Sequence, residues 1–215
     1  MTRQALTELG SWCLYSVLRG PCWAVAVLAF GFRSMGRENV PPTGPVLIVS
    51  NHQSHLDPPL VGLALSRQLK YLARQGLFFW PFSWLIRSLG AVPLDKKAGG
   101  IGGIRTTLRL LKENEAVLVF PEGTRTLDGS LSPMLPGFCA LARRSGATVV
   151  PVAIEGAFAA LPRGAAFPRP NQITVVVAPP ITAEQIAKMS DEELVALTTA
   201  RITEGRAAAL RRPSE

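Results

Sequence analysis

Cysteine, histidine and charge are all scarce in this chain, and each scarcity excludes something. The three cysteines, Cys13, Cys22 and Cys139, are far apart, odd in number and form no C-x-x-C pair. That pattern argues against a disulfide framework and a thiolate zinc site, and for reduced thiols in a reducing compartment. There is no G-x-S-x-G elbow, the usual mark of a serine hydrolase. Zinc-finger, RRM and KH signatures are missing, and the aromatics Phe78, Phe79, Trp80, Phe82 and Trp84 sit in an apolar run rather than among basic residues. Nucleic acid is therefore not an expected partner. No uncharged apolar run reaches the roughly eighteen residues that a membrane-spanning helix needs.

What is present is apolar and, in one stretch, strongly basic. The 215 residues are 47% hydrophobic and 18% charged, with a mean hydropathy of +0.23, so the chain is too apolar for disorder and suits one domain with additions at its ends. Between Leu60 and Lys112, nine Lys or Arg face one acid, Asp95, an excess equal to the net charge of +8 for the whole chain. Positive charge set among apolar residues suits anionic lipid headgroups or phosphate-bearing substrates. The N-terminal stretch Leu9–Phe32 is mostly apolar but is interrupted by Arg19, Gly20 and Pro21. Its two halves are each too short to span a bilayer. They are expected to be two short helices in the membrane interface, with Trp12, Tyr15 and Trp23 at headgroup depth. The competing expectation is a helical hairpin packed on the protein's own core. With the reducing compartment, the first expectation points to the cytoplasmic face of the cell membrane.

Beyond the Pro-rich linker Asn39–Pro45, strands and helices alternate. Strands are predicted at 46–50, 69–73, 91–94, 116–120, 148–154 and 172–177. Helices are predicted at 58–66, 77–89, 101–112 and 137–145, with a helical tail from Ala183 and a disordered end after Leu210. That alternation predicts an α/β fold, a largely parallel sheet with flanking helices. The expected division is an N-terminal membrane-associating segment (1–38), a catalytic domain (39–182) and a helical tail (183–215).

Both histidines lie in one loop, Asn51-His52-Gln53-Ser54-His55-Leu56-Asp57, at the carboxyl end of the first of those strands, where open α/β sheets place their sites. A histidine held by a carboxylate is a general base for an alcohol. Asp57 precedes Pro58, which biases it out of the helical region and lets the chain fold its carboxylate back onto His52. Asp57 is also placed to cap the next helix. A second cluster, Phe120-Pro121-Glu122-Gly123-Thr124-Arg125, follows another strand end. The planar fork of Arg125 suits a phosphate, Glu122 suits that guanidinium or a glycerol hydroxyl, and Gly123 permits close backbone approach. Taken alone, the cluster also reads as a surface turn with a routine Glu–Arg pair.

Together these two segments resemble the first and third blocks of the 1-acylglycerol-3-phosphate acyltransferases, the PlsC-like family of glycerolipid acyltransferases. Leu89-Gly90-Ala91-Val92-Pro93-Leu94-Asp95-Lys96 is similar to the second block and Val150-Pro151-Val152-Ala153-Ile154-Glu155-Gly156 to the fourth. The resemblance implies that His52 deprotonates the acceptor hydroxyl and that Asp57 orients it. It implies that Glu122, Gly123, Thr124 and Arg125 bind the glycerol phosphate, with Arg125 on the phosphate. Lys96 stands where the family has arginine, and Met134-Leu135-Pro136-Gly137 lacks the family's basic residue, so one phosphate contact is unaccounted for. His55 does not match the catalytic position and reads as a polar loop residue. The implied reaction transfers a fatty acyl group from acyl-CoA or acyl-carrier protein to the sn-2 hydroxyl of lysophosphatidic acid, giving phosphatidic acid without cofactor or metal. Membrane lipids are the expected surroundings. Backbone N–H groups near Gly123 and Thr124 are candidate oxyanion donors. Other lysophospholipids or glycerol-3-phosphate as acceptor, a serine lipid hydrolase using Ser54 and a non-catalytic lipid-binding protein remain alternatives.

Overall fold

Val46–Ser50 is buried at every position, which only a strand covered on both faces achieves. In the computed structural model, which describes residues 3–79, 82–94 and 99–211, this segment (β2) is the middle strand of the sheet. The other strands are β1 (Arg33–Met35), β3 (Leu69–Arg74), β4 (Ala91–Leu94), β5 (Ala116–Val119), β6 (Thr148–Glu155) and β7 (Thr174–Val177). Their order is β1-β7-β6-β2-β5-β3-β4. Among the described residues, β6–β7 is the only antiparallel pairing between these strands. The predicted α/β fold with a largely parallel sheet and flanking helices is thus what forms. The carboxyl ends of β2 to β6 share one rim.

Helices cover both faces: α1 (Arg3–Phe30), α2 (Asp57–Ala64), α3 (Phe82–Ser88), α4 (Gly99–Lys112), α5 (Gly137–Ser145), α6 (Ala157–Ala160), α7 (Ala183–Ala187) and α8 (Asp191–Leu210). Alternate residues of β2 divide between two cores, as the two-residue period of a strand requires. Val46 and Ile48 pack with Leu60, Val61, Leu65 and Ile154 on the α2 side. Leu47 and Val49 pack with Leu111, Phe138, Ile186 and Leu194 on the other. Full burial of each such side chain is worth about 1.5–3 kcal/mol, so β2 anchors both layers.

The N-terminal expectation needs correction. α1 runs unbroken from Arg3 to Phe30 with Pro21 inside it, rather than as two short helices. One proline removes a single backbone bond, and tertiary contacts carry the helix past it. The Tyr15 hydroxyl donates to Gly62 O at 3.3 Å, and Arg19 Nη2 donates to Leu63 O at 2.9 Å. Tyr15 is therefore buried against α2, not placed at headgroup depth, whereas Trp23 is 52% exposed. The Trp12 side chain lies outside the described residues. Among the described residues, no helix is long and apolar enough to cross a membrane.

Two elements were not foreseen. β1 pairs with β7 at the sheet edge, so the segment before residue 38 supplies a strand. Its three residues are all exposed and show no alternation that could mark them. The short α6 follows β6 directly. The tail does more than append to the domain: α8 starts at a capping box of Ser190 and Glu193 and buries Leu194, Thr198, Ile202 and Gly205 along one face. The end expected to be disordered falls mainly on residues 212–215, outside the described residues.

Gly156 joins β6 to α6 at φ +89°, and a Cβ there would lie 2.0 Å from Gln172 O. Gly156→Ala should therefore lower stability by at least about 1–3 kcal/mol, seen as a lower urea midpoint. An unchanged midpoint would mean that the backbone relaxes freely here.

Candidate active site

Where β2 ends, the side chain of Asn51 continues the ladder. Its Nδ2 donates to Ile154 O at 2.9 Å, and its Oδ1 accepts from Ile154 N at 2.8 Å. The chain then folds back on itself around Asp57, which is fully buried. One oxygen, Oδ2, accepts from Gln53 N at 2.6 Å and Ser54 N at 2.7 Å and lies 2.7 Å from His52 Nδ1. Asp57 does not cap α2: Leu56 is the N-cap residue and makes no side-chain cap bond. The carboxylate instead serves the loop before it. Burial pushes the Asp57 carboxyl above its ordinary value, against the opposing pull of His52 and of the two amides.

A carboxylate accepts, so His52 Nδ1 carries hydrogen and Nε2 keeps its lone pair. The imidazole stacks on Phe120, with ring centroids 3.8 Å apart and planes 12° from parallel. With Asp57 at one edge and Phe120 on one face, the ring has little freedom. It stays 19% exposed, enough for a substrate to reach.

The loop after β5 is tied to the His52 loop by backbone and by Glu122. Thr126 N donates to His52 O at 2.9 Å. Glu122, nearly buried, accepts from His52 N at 2.6 Å through Oε1 and from Ser132 N at 2.8 Å through Oε2. The routine Glu122–Arg125 pair considered from sequence is not made. Gly123 has φ +71°, and its N–H closes a turn on Phe120 O at 3.1 Å. It is therefore already used, whereas Thr124 N–H has no hydrogen-bond partner among the described residues. Arg125 is half-buried on the same rim. Burial and the charges of Arg163 and Arg74 lower its pKa, while Asp57 acts to raise it.

Two other sequence candidates resolve clearly. Ser54 is fully buried and its hydroxyl donates to Leu161 O at 2.9 Å, so it has neither the access nor the base that a nucleophile needs. Partial burial and the charges of Arg125, His52 and Arg74 push the His55 imidazole below its ordinary range. Among the described residues His55 has no carboxylate partner. Lys96 lies outside the described residues. Sequence reasoning missed the Phe120 stack and the Glu122 staple. Phe120 reads as a strand residue, and nothing along the chain shows which amides Glu122 will meet.

His52, with Nδ1 on Asp57, and Arg125, which has no ion pair with a carboxylate among the described residues, thus stand at the same carboxyl rim of the sheet. A family model described as Acyltransferase matches residues 31–155. The chain belongs to this acyltransferase family, in its PlsC-like branch. It is 32% identical over 162 residues to the chloroplast 1-acyl-sn-glycerol-3-phosphate acyltransferase of Brassica napus, covering 73% of this chain and 47% of that one. It spans similarly short shares of the matching proteins of Arabidopsis thaliana, 37%, and Chlamydomonas reinhardtii, 48%. The 1-acyl-sn-glycerol-3-phosphate acyltransferase of Bacillus subtilis is 28% identical over 87% of this chain and 92% of its own length. The crystal structure of the 1-acyl-sn-glycerophosphate acyltransferase PlsC of Thermotoga maritima superposes with a TM-score of 0.82 at 25% identity, covering 97% of this chain and 85% of that one.

Two predictions follow from this geometry. Glu122→Gln puts an amide donor against a backbone donor, leaving one N–H unsatisfied in either orientation. Turnover of the acceptor should fall at least about tenfold in kcat with little change in acceptor KM. An effect mainly on KM would instead place Glu122 on the substrate. The second concerns pH. Because burial raises the Asp57 carboxyl above 3.8, the folded protein takes up that proton before the unfolded chain does as pH falls. Its favourable contribution is present below the unfolded value and is lost as pH rises through the folded one. Compared with Asp57→Asn, the wild type should gain stability as pH falls from neutrality toward the ordinary carboxylate range, read from urea midpoints. A gap that ignores pH would contradict the raised value.

Proposed function

We propose that the protein is a 1-acylglycerol-3-phosphate O-acyltransferase, moving a fatty acyl group from a thioester donor, acyl-CoA or acyl-carrier protein, to the sn-2 hydroxyl of lysophosphatidic acid to give phosphatidic acid. The observation that carries this reading is the 2.7 Å contact between His52 Nδ1 and Asp57 Oδ2, which leaves His52 Nε2 as a base on the rim shared with Arg125. The names of the related proteins agree with it.

In the proposed reaction, His52 Nε2 takes the hydroxyl proton as the alkoxide oxygen bonds to the thioester carbonyl carbon. Asp57 holds the ring and stabilises the imidazolium that results. The tetrahedral oxyanion accepts from the Thr124 amide, and Gly123 keeps the backbone there uncrowded. Collapse breaks the carbon–sulfur bond, and the departing thiolate takes the proton from His52. Arg125 holds the acceptor phosphate. Glu122 acts by fixing the backbones of His52 and Ser132. No step calls on a metal or cofactor.

The membrane is the proposed workplace, on its cytoplasmic face, with α1 as the contact. One side of α1 packs inward through Tyr15 and Ala26, while Val17, Trp23, Val25 and Leu28 are exposed on it. Such an apolar outer surface is costly in water and favourable in the bilayer interface.

His52→Ala should cost on the order of a hundred- to ten-thousand-fold in turnover while leaving the fold intact. Asp57→Asn should impair turnover strongly, and Arg125→Ala should chiefly raise the acceptor KM. The assay uses purified protein in detergent with lysophosphatidic acid and a panel of donors, with products identified by mass. Near-normal turnover by His52→Ala would end this mechanism.

A further inference from the structure

Two further arginines, both outside the four family blocks, reach the rim that carries Arg125. Arg74 ends β3, three residues beyond Tyr71, which pairs with Leu118 of β5. That register sets Arg74 beside the start of the turn that leads to Arg125. Arg163 comes from the other flank. Phe158 N donates to Gln53 Oε1 at 3.2 Å, and Ser54 Oγ donates to Leu161 O at 2.9 Å, so α6 and its exit are pinned to the His52 loop. The next turn closes with Ala165 N on Pro162 O at 3.1 Å and presents Arg163 exposed at its tip. The charges of Arg163 and Arg74 both act on Arg125.

None of these three guanidinium groups has an ion pair with a carboxylate among the described residues. Elsewhere the fold supplies such partners, as for Arg109 with Glu113, Arg143 with Asp191 and Arg206 with Glu155. Three like charges gathered around one histidine loop repel one another, and a multiply charged anion offsets that repulsion. On the remaining side, the Met134-Leu135-Pro136-Gly137 segment offers no cation. Leu135 instead lies against Gly123, 3.7 Å from where a Cβ would stand. Positive charge therefore enters from β3 and from the turn after α6.

We propose that Arg163 and Arg74 flank Arg125 to complete an anion subsite for a terminal phosphomonoester on the acceptor, and that they select it over a phosphodiester headgroup. A phosphomonoester carries up to two negative charges and three free oxygens, enough to engage more than one guanidinium fork. A phosphodiester carries one charge and gives up an oxygen to its substituent. This inference rests on the acyl-transfer reading for the identity of the acceptor, but not for the existence of the subsite.

The test uses the full chain in detergent, as wild type, Arg163→Ala, Arg163→Lys and Arg74→Ala, each checked for an unchanged melting temperature. Acceptor KM is measured for lysophosphatidic acid and for lysophosphatidylglycerol, and donor KM alongside. Binding of a lysophosphatidic acid analogue lacking the sn-2 hydroxyl is followed by tryptophan fluorescence. Arg163→Ala should raise the KM for lysophosphatidic acid by about tenfold or more and weaken the analogue equally, with a much smaller change for lysophosphatidylglycerol. Lysine should restore part of the loss. A shift confined to donor KM would assign the arginines to the carrier's phosphates and overturn the proposal, as would acceptor KM values that ignore both Arg163→Ala and Arg74→Ala. Should the wild type bind the analogue in an Arg163-dependent way yet acylate no lysophosphatidic acid, the acyl-transfer reading fails and the subsite stands.

Discussion

Asp57 is the point on which the site depends. A fully buried carboxylate is costly, and this one is tolerated because a single oxygen gathers two backbone amides and an imidazole. Those three bonds give the loop its shape and His52 its tautomer at once. The same group that organises the backbone around His52 also sets which ring nitrogen is free to take a proton. Structure and chemistry cannot be separated at this residue.

Around it the sheet acts as a frame that brings distant segments to one rim. Parallel pairing of β2 with β5 and β6 places the ends of three strands side by side. Side chains then lock the loops that follow. Asn51 reaches β6 and Glu122 joins the loop after β5 to the backbone of His52. Arg206 of α8 donates to Glu155 at 2.6 Å and to Gly129 O at 2.7 Å. The C-terminal helix, beyond the stretch matched by the family model, thus braces the loop that carries Arg125. In the proposed reaction, a histidine whose surroundings are already in place would need little reorganisation when charge develops on it.

The N-terminal helix shows how packing overrides local signals. Arg19, Gly20 and Pro21 look like a break, yet Arg19 finds carbonyls at the end of α2 and the helix continues. Tyr15, expected at the membrane interface, turns inward, its hydroxyl donating to Gly62 O. What stays outward includes the apolar side chains of Val17, Trp23, Val25 and Leu28.

Much was legible along the chain. Strand positions followed from β-branched runs, and β2, β4 and α5 fall where expected. His52 and Asp57 were recognisable because they share one short loop, which makes their contact a local matter, although Asp57 is the first residue of α2 and is not held out of the helix by Pro58 as expected. Other features depend on distance. The exposed edge strand Arg33–Met35 has no pattern of its own and exists because β7 offers it a partner. The partners of Glu122 are backbone amides, which every residue has and no sequence labels. Arg74 and Arg163 are ordinary surface arginines in the sequence, 89 positions apart, and become neighbours of Arg125 only when the sheet register and the pinned turn after α6 bring them there. The short-range contact between His52 and Asp57 is set by the sequence alone. The gathering of like charges near that loop is decided by tertiary structure, because Arg74, Arg125 and Arg163 come from segments far apart in the chain.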